Sequence, residues 1–257
     1  MGEREKSLVE TSYALARFDP KARKELVVRG LNALTEIKDA DFYFLKGEEF
    51  RMQGELKRAI ECYERSLEIN HEHEDSLFWM GYCYMPVVVE RRRDDLELDN
   101  NIRNERATSA FQKLIDLRKR KDSTGWSSFV VYYNLGVSQF ALGLYRDSIE
   151  SAKHAIELNR ENHKSYYLLG LSQEEVGIFH LAMENFETYL SFEDLDLLEE
   201  KRFITYAKER VVQLKNQLTD SYFFSIGLDF WEKGQYQEAI ECCEKAIEIN
   251  PNYAQVY

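Results

Sequence analysis

The sequence repeats itself with a period of 34 residues. The segments that start at Phe129 and at His163 align position by position, each with Leu-Gly at its seventh and eighth positions. The same frame fits three further segments, which start at Ala40, Glu74 and Asp220. Self-similarity at a fixed period of this length indicates a repeat architecture, in which short structural units stack on one another. The fold is therefore expected to use one unit several times.

Each unit contains two helical apolar patterns joined by a turn, and in four of the units the turn carries a glycine. These glycines are Gly54, Gly143, Gly177 and Gly234. Small residues recur at positions eight and twenty, as in Gly47 with Ala59, which predicts that the two helices cross closely there. A larger side chain at such a crossing would overpack it at a cost of about 1–3 kcal/mol. Because one helical pair cannot cover its own apolar face, the pairs must stack.

This pattern resembles the tetratricopeptide repeat, whose frame is W-x2-L-G-x2-Y, then A-x3-F, then Pro. In the first copy Gly47, Ala59 and Tyr63 occupy matching positions, and the last copy ends at Pro251. The resemblance covers about two-thirds of the chain. It implies an all-α fold, an α-solenoid in which antiparallel helix pairs form a right-handed superhelix.

The repeat frame also predicts how the chain is divided. The segments are a degenerate N-terminal helical cap (1–39), four repeats (40–73, 74–128, 129–162 and 163–196), a capping or spacer helix (197–219), a fifth repeat (220–253) and the start of a further, truncated repeat (254–257). The second repeat carries an insertion at about 86–104, whose charges predict an exposed excursion. A tolerated loop is favoured there over a partner-binding element. Because Tyr257 falls where a new unit places a large aromatic, a longer array is expected.

Composition argues against several classes of function. The net charge of −12 disfavours sequence-independent binding to phosphate, so no nucleic-acid partner is expected. No apolar stretch approaches the roughly 18–20 residues of a membrane span, so membrane insertion is not expected. The four cysteines show no CxxC spacing and fall within helical apolar patterns, which favours buried free thiols in a reducing compartment. We therefore expect a cytoplasmic protein.

The sequence lacks the common motifs of catalytic chemistry, including GxGxxG, the P-loop, GxSxG and HExxH. His71 and His73 could bind zinc weakly, but no further His or Cys is placed to complete a site, which favours a polar turn between repeats. The Cys242-Cys243 pair fits the repeat frame, so core packing is favoured over redox chemistry. We expect no enzymatic activity, no cofactor and no metal.

In the family that the sequence resembles, the first helix of each unit lines the inside of the superhelix and presents several positions to a ligand. An aromatic residue occupies position five in all five copies. The predicted partner-binding residues are Phe44, Glu48, Phe78, Tyr82, Tyr133, Asn134, Val137, Phe140, Lys164, Tyr167, Leu171, Phe224 and Trp231. Such rings favour an apolar or amphipathic peptide or helix as ligand, although packing against neighbouring units is the alternative interpretation.

One subset of the family holds the C-terminal carboxylate of chaperones with a set of Lys, Asn and Arg residues. Only Asn134 and Lys164 fall on the matching positions here, so that clamp is not expected. The leading hypothesis is a non-catalytic scaffold or adaptor that binds a protein or peptide ligand in its concave groove. Two alternatives stay open. The chain could self-associate as a homo-oligomer, or it could be the targeting array of a longer protein with a catalytic domain beyond residue 257.

Overall fold

The computed structural model describes residues 39–85, 96, 98–121, 128–192 and 201–251, and within them the chain forms eleven α-helices and no strand. The helices are α1 (Ala40–Gln53), α2 (Leu56–Ile69), α3 (Glu74–Tyr84), α4 (Asn100–Arg120), α5 (Ser128–Ala141), α6 (Tyr145–Leu158), α7 (His163–Glu175), α8 (Phe179–Ser191), α9 (Lys201–Gln217), α10 (Asp220–Glu232) and α11 (Tyr236–Ile249). The predicted all-α class is confirmed. None of these helices is both long enough and hydrophobic enough to cross a membrane. The predicted cap over 1–38 and the segment 254–257 lie outside the described residues.

The chain divides into two compact units, residues 1–159 with α1–α6 and residues 160–257 with α7–α11. In the first unit, α1 packs on α2, α3 on α4 and α5 on α6, and α3 and α5 also pack on the pair that precedes each of them. In the second unit, α7 pairs with α8 and α10 pairs with α11, while α9 packs on α8. The repeating element is thus a helical pair.

The turn between α1 and α2 shows how the sequence ends one helix and starts the next. Gly54 has a φ of 83°, a left-handed conformation that glycine adopts without a side-chain clash. Its N–H donates to the carbonyl of Arg51 at 3.1 Å, and the N–H of Glu55 donates to that of Phe50 at 3.0 Å. These bonds satisfy carbonyls that the end of α1 would otherwise leave unpaired. The same positive φ recurs at the other three predicted turn glycines.

The two helices of a pair cross at the small residues, as the sequence predicts. A Cβ added at Gly47 would lie 2.5 Å from Cε1 of Tyr63 and 3.1 Å from the carbonyl oxygen of Ala59. In another pair the hydroxyl of Ser148 donates to the carbonyl of Gly136 at 2.9 Å, a bond that requires close backbone approach. Glycine or a small residue therefore sets the distance between paired helices.

The prediction that residues 86–104 form an exposed excursion holds only for part of the segment that the structure describes: residues 99–102 are exposed, whereas Leu96, Arg103 and Asn104 are buried. Leu96 is buried, and α4 already begins at Asn100. Arg103 is buried within α4 and donates from Nε to the carbonyl of Tyr84 at 3.2 Å. Because Tyr84 ends α3, its carbonyl lacks a partner within the helix, and Arg103 supplies one. Residues of the insertion thus extend α4 and join the core.

The last helical pair is attached to α8 through a tyrosine. The hydroxyl of Tyr222 accepts the N–H of Phe179 at 3.2 Å and donates to the carbonyl of Gly177 at 3.3 Å. Lys245 of α11 pairs with Glu184 of α8 at 2.6 Å. The start of α8 therefore anchors α10 and α11 by polar contacts.

Candidate partner-binding surfaces

Three of the residues predicted to face a ligand are buried in the structure: Phe44, Glu48 and Asn134. The prediction that these side chains are open to solvent is wrong. Phe44 packs against the rings of Tyr63 and His73, with centroids 6.0 and 5.1 Å away. The repeat frame assigns these residues to the ligand face of the first helix, but packing within the first unit covers them.

Glu48 forms a buried polar network with Arg51 and Tyr63. Nε of Arg51 donates to Oε1 of Glu48 at 2.8 Å, Nη2 donates to Oε2 at 3.1 Å, and the Tyr63 hydroxyl donates to Oε1 at 2.5 Å. Burial alone would lower the pKa of Arg51, but the Glu48 carboxylate outweighs it and raises that pKa. Burial, reinforced by the Glu48 carboxylate, raises the pKa of Tyr63 well above its ordinary value. Arg51 stays charged and the Tyr63 hydroxyl stays protonated, so the network persists at neutral pH.

Three neighbouring rings on α3, Phe78, Trp79 and Tyr82, form what we call the α3 aromatic cluster. Phe78 and Trp79 meet edge to face with centroids 5.0 Å apart, Trp79 and Tyr82 lie 5.4 Å apart, and Phe78 and Tyr82 stack at 6.3 Å. All three rings are half-buried and pack against the core of the first unit. The cluster thus has one packed side and one side that water reaches.

Trp79 was absent from the predicted site because its position in the repeat is not among the ligand positions of the family. A cation–π contact accounts for the position of Trp79: the guanidinium of Arg51 lies over the Trp79 ring, 4.2 Å from its centroid. A desolvated cation–π contact of this kind contributes about 2 kcal/mol. The buried Glu48–Arg51 pair therefore holds Trp79 in position. Its spacing of one and three residues from Phe78 and Tyr82 was the available signal in the sequence.

The predicted residues on α5 are only partly exposed. Val137 packs against the same core cluster as the rings of α3. Phe140 contacts Tyr145 of its own helical pair, with centroids 5.3 Å apart. Tyr133 is half-buried. The structure thus associates Val137 with the core beneath the α3 aromatic cluster and places Phe140 against α6.

In the second unit, helix α9 lies across Tyr167. The Tyr167 ring is 5.3 Å from that of Phe203 and 6.3 Å from that of Tyr206, and it also contacts Tyr189 of α8 at 5.1 Å. Phe203 and Tyr206 lie about one helical turn apart on α9. This helix therefore occupies part of the surface on which the repeat frame would place a ligand.

An ion pair continues the contact between α7 and α9. Arg210 pairs with Glu174 at 2.5 Å, and the hydroxyl of Tyr206 approaches the same carboxylate at 3.5 Å. Leu171, one turn before Glu174, is half-buried against the core of the second unit. Lys164 is exposed. Of the predicted residues on α7, two are thus packed within the unit and one faces solvent.

The last pair exposes four large apolar side chains, which we call the α10–α11 face: Leu228, Trp231, Tyr236 and Ile240. All four residues are exposed, and the rings of Trp231 and Tyr236 are in contact, with centroids 5.3 Å apart. Phe224, one turn before Leu228, is half-buried. Tyr236 and Ile240 were absent from the predicted site because they lie on the second helix of the pair.

The residues considered for metal or redox chemistry have structural roles. Nδ1 of His73 accepts the N–H of Ser76 at 3.1 Å and caps α3, while Nε2 lies 3.0 Å from Oδ1 of Asp41. Among the described residues, no group of three or more potential ligands is arranged to hold a metal ion. Burial raises the pKa of the Cys62 and Cys242 thiols, which disfavours the reactive thiolate.

Family comparisons decide the class of the protein. One tetratricopeptide repeat model matches residues 40–73 and 221–253, and a second matches residues 130–162. The chain is a tetratricopeptide-repeat protein. Its fold resembles the crystal structure of YrrB, a TPR protein with an unusual peptide-binding site, with a TM-score of 0.51 and 19% identity over 88% of this chain and 94% of that one.

Two curated proteins share a similar stretch of sequence. The STIP1 homolog of Dictyostelium discoideum is 27% identical over 115 residues, which cover 41% of this chain and 20% of that protein. The peroxisomal targeting signal receptor of Kluyveromyces lactis is 28% identical over 129 residues, which cover 50% of this chain and 19% of that protein. The chain thus spans about a fifth of the length of the curated relatives it matches.

The two repeats that match the same family model differ in the solvent exposure of their ninth and twelfth residues. In the repeat over 40–73 these positions hold the buried pair Glu48 and Arg51. In the repeat over 221–253 they hold Leu228 and Trp231, which are exposed. The family frame therefore gives the position of a side chain in the pair, whereas the neighbouring element decides whether it is accessible.

Proposed function

We propose that this chain is a non-catalytic adaptor whose first unit binds an apolar or amphipathic peptide or helix of another protein. The observation that carries the proposal is the α3 aromatic cluster, in which three adjoining rings each keep one side open to water. Aromatic side chains are the most frequent anchors of protein interfaces, because they bury a large area at low cost in conformational entropy. Of the predicted ligand residues, Phe78 and Tyr82 belong to this cluster.

The cluster is also preorganised. Arg51 is fixed by Glu48 and supports the ring of Trp79, so this ring does not have to be ordered when a ligand binds. Preorganisation raises affinity because less side-chain freedom is lost on association.

The size of the cluster sets the expected affinity. Half of three aromatic side chains amounts to about 300 Å² of surface, since each aromatic buries about 150–250 Å² in full. At about 25 cal/mol per Å², covering this area contributes about 7 kcal/mol before the cost of association. That cost is at least about 4 kcal/mol, so the rings alone give weak binding. We therefore expect further contacts from α5, where Tyr133 and Val137 are half-buried.

The comparisons support this class of function. One relative is named as the receptor of a peroxisomal targeting signal, which favours recognition of a short protein segment. The net charge of −12 disfavours a nucleic-acid partner. A cytoplasmic location is part of the same proposal, as are the absence of catalysis and of a cofactor.

Self-association through the helix at 197–219 has less support. In the structure this helix, α9, packs on α8 of its own unit and pairs with Glu174 of α7. An exchange between two copies would have to break these contacts before it could form equivalent ones.

The proposal is tested with a peptide selected for binding to the intact chain from a displayed library of helical and extended peptides. Phe78→Ala combined with Tyr82→Ala should weaken binding at least tenfold, because the variant removes two of the three anchoring rings. Ile69→Ala is the matched control, since Ile69 is an exposed apolar residue of the same unit. Circular dichroism checks that helical content is retained. Equal affinity of the double variant and the unmodified chain would reject the proposal.

A further inference from the structure

The contact between α8 and the last helical pair is small. Among the described residues, its buried apolar cluster contains Leu218, Phe223 and Ala246, which pack against the start of α8. The cluster that joins α8 to α9 contains seven buried residues. Because apolar stabilisation grows with the area removed from water, α10 and α11 are held on α8 less firmly than α9 is. Only Leu218 and Thr219 lie between α9 and α10, so the pair can turn about this link.

A histidine is buried in this contact. His180, the second residue of α8, is 8% exposed, and its ring meets that of Phe223 of α10 edge to face, with centroids 5.5 Å apart. Its Nδ1 is buried and has no hydrogen-bond partner among the described residues. The neutral ring carries one N–H group, whereas the protonated ring carries two and needs an acceptor for each. The contact therefore accommodates the neutral ring and penalises the charged one.

The surroundings of His180 also disfavour a positive charge. Lys245 of α11 lies close to it, and the Glu184 carboxylate of its own helix, which opposes this effect, pairs with Lys245 at 2.6 Å. Helix α10 contributes the hydroxyl of Tyr222 and α11 the thiol of Cys242; burial raises the pKa of both, so neither is charged at neutral pH. The dipole at the N-terminus of α8 disfavours a cation as well. Burial first, and Lys245 second, lower the pKa of His180.

We infer that the link between α9 and α10 is a pH-sensitive hinge, at which protonation of His180 releases the α10–α11 pair from α8. In the released state water supplies an acceptor for Nδ1 and surrounds the charge. Because this state binds the proton more readily, the contact is complete above about pH 6.5, the ordinary pKa of histidine, and weakens as the pH falls below it. Release uncovers the ring of Phe223, so the chain exposes more apolar surface at acidic pH. The hinge does not depend on peptide binding by the α3 aromatic cluster.

One backbone amide reports the state of the hinge. The N–H of Phe179 lies in the first turn of α8, where amides have no partner within the helix, and it donates to the Tyr222 hydroxyl of α10 at 3.2 Å. Release of the pair therefore exposes this amide to water. The N–H of Ala182, which donates to the carbonyl of Ile178 at 3.1 Å, is the matched control, because it reports opening of α8 itself.

Hydrogen exchange of both amides is measured by NMR on the full chain, and each rate is divided by that of an unprotected amide at the same pH. Between about pH 7.5 and 5.5 we expect the protection of Phe179 to fall at least twofold, whereas that of Ala182 stays constant. Constant protection of Phe179 would overturn the inference. An equal loss at both amides would also overturn it, because α8 would then unravel instead of releasing the pair.

Two substitutions test whether His180 is the titrating group. His180→Gln stays neutral at every pH, so the protection of Phe179 should no longer change with pH. His180→Arg carries its charge throughout, so this protection should already be lowered at about pH 7.5. Circular dichroism checks that each variant retains its helical content. A pH dependence that persists in His180→Gln would assign the effect to another group and contradict the inference.

Discussion

Replacing Gly47 with alanine tests whether the paired helices are as close as the structure places them. The new Cβ would lie 2.5 and 2.7 Å from two carbons of the Tyr63 ring, well inside van der Waals contact. Tyr63 has little room to move, because it is fully buried and its hydroxyl donates to Glu48. The matched control is Gly227→Ala, the same position in the last pair, where the nearest atom would be Sγ of Cys243 at 3.3 Å.

The expected effects have opposite signs. In both helices alanine gains about 1 kcal/mol over glycine in helix propensity. Overpacking at Gly47 costs about 1–3 kcal/mol, towards the upper end because Tyr63 cannot give way, so the net result is a loss of about 1–2 kcal/mol. At Gly227 the neighbours need to move by only a few tenths of an ångström, so we expect a net gain of about 0.5–1 kcal/mol.

Urea unfolding followed by circular dichroism measures both variants, and hydrogen exchange assigns each change to its own unit. Gly47→Ala should reduce protection in α1 and α2, and Gly227→Ala should increase it in α10 and α11. Equal stabilisation by both substitutions would show that α1 and α2 are further apart than the structure has them, and would refute the reasoning.

Three further predictions concern charged and titratable groups. Glu48→Gln should cost about 3–5 kcal/mol in urea unfolding, because it leaves the Arg51 charge buried without its carboxylate, and Glu48→Leu with Arg51→Met should recover most of the loss. Burial and the nearby Lys245 lower the pKa of His180, so the unfolded chain binds this proton more readily. The contribution of neutral His180 to the stability of the second unit should therefore be fully present above about pH 6.5, the ordinary pKa of histidine. The free energy of unfolding should fall as the pH drops below this value, and it should fall less steeply in His180→Gln. Arg210→Met should remove the partly exposed ion pair between α7 and α9, cost about 0.5–1 kcal/mol and raise hydrogen exchange over 201–217; unchanged exchange would show that apolar packing alone holds α9.

The helical pairs could be predicted from the sequence because they leave a periodic trace. Gly47 and Ala59 recur at fixed positions as Gly227 and Ala239, and the structure places these residues where the helices cross. The need for a small residue at the crossing is local to each helical pair, so the same pattern recurs independently in several repeats of one sequence. The all-α class could therefore be predicted from this recurrence.

The solvent exposure of the ligand positions could not be predicted in the same way, because it depends on which neighbouring element packs against them. Glu48 and Leu228 share a position in the frame, yet α3 contributes to covering one and the other is exposed. Tyr167 is covered in part by Phe203 of α9, a helix that has no place in the repeat frame. Within the insertion the prediction of exposure was wrong at Arg103 for a related reason, because this charged residue is buried where it can bond the end of α3.

The central claim, that the α3 aromatic cluster receives an apolar protein segment, is tested most directly by the fluorescence of Trp79. A variant with Trp126→Phe and Trp231→Phe retains Trp79 as its single tryptophan. Titration with the selected peptide should shift and saturate this emission at the affinity measured independently by calorimetry. Emission that stays constant while the peptide is shown to bind would place the ligand elsewhere and contradict the account.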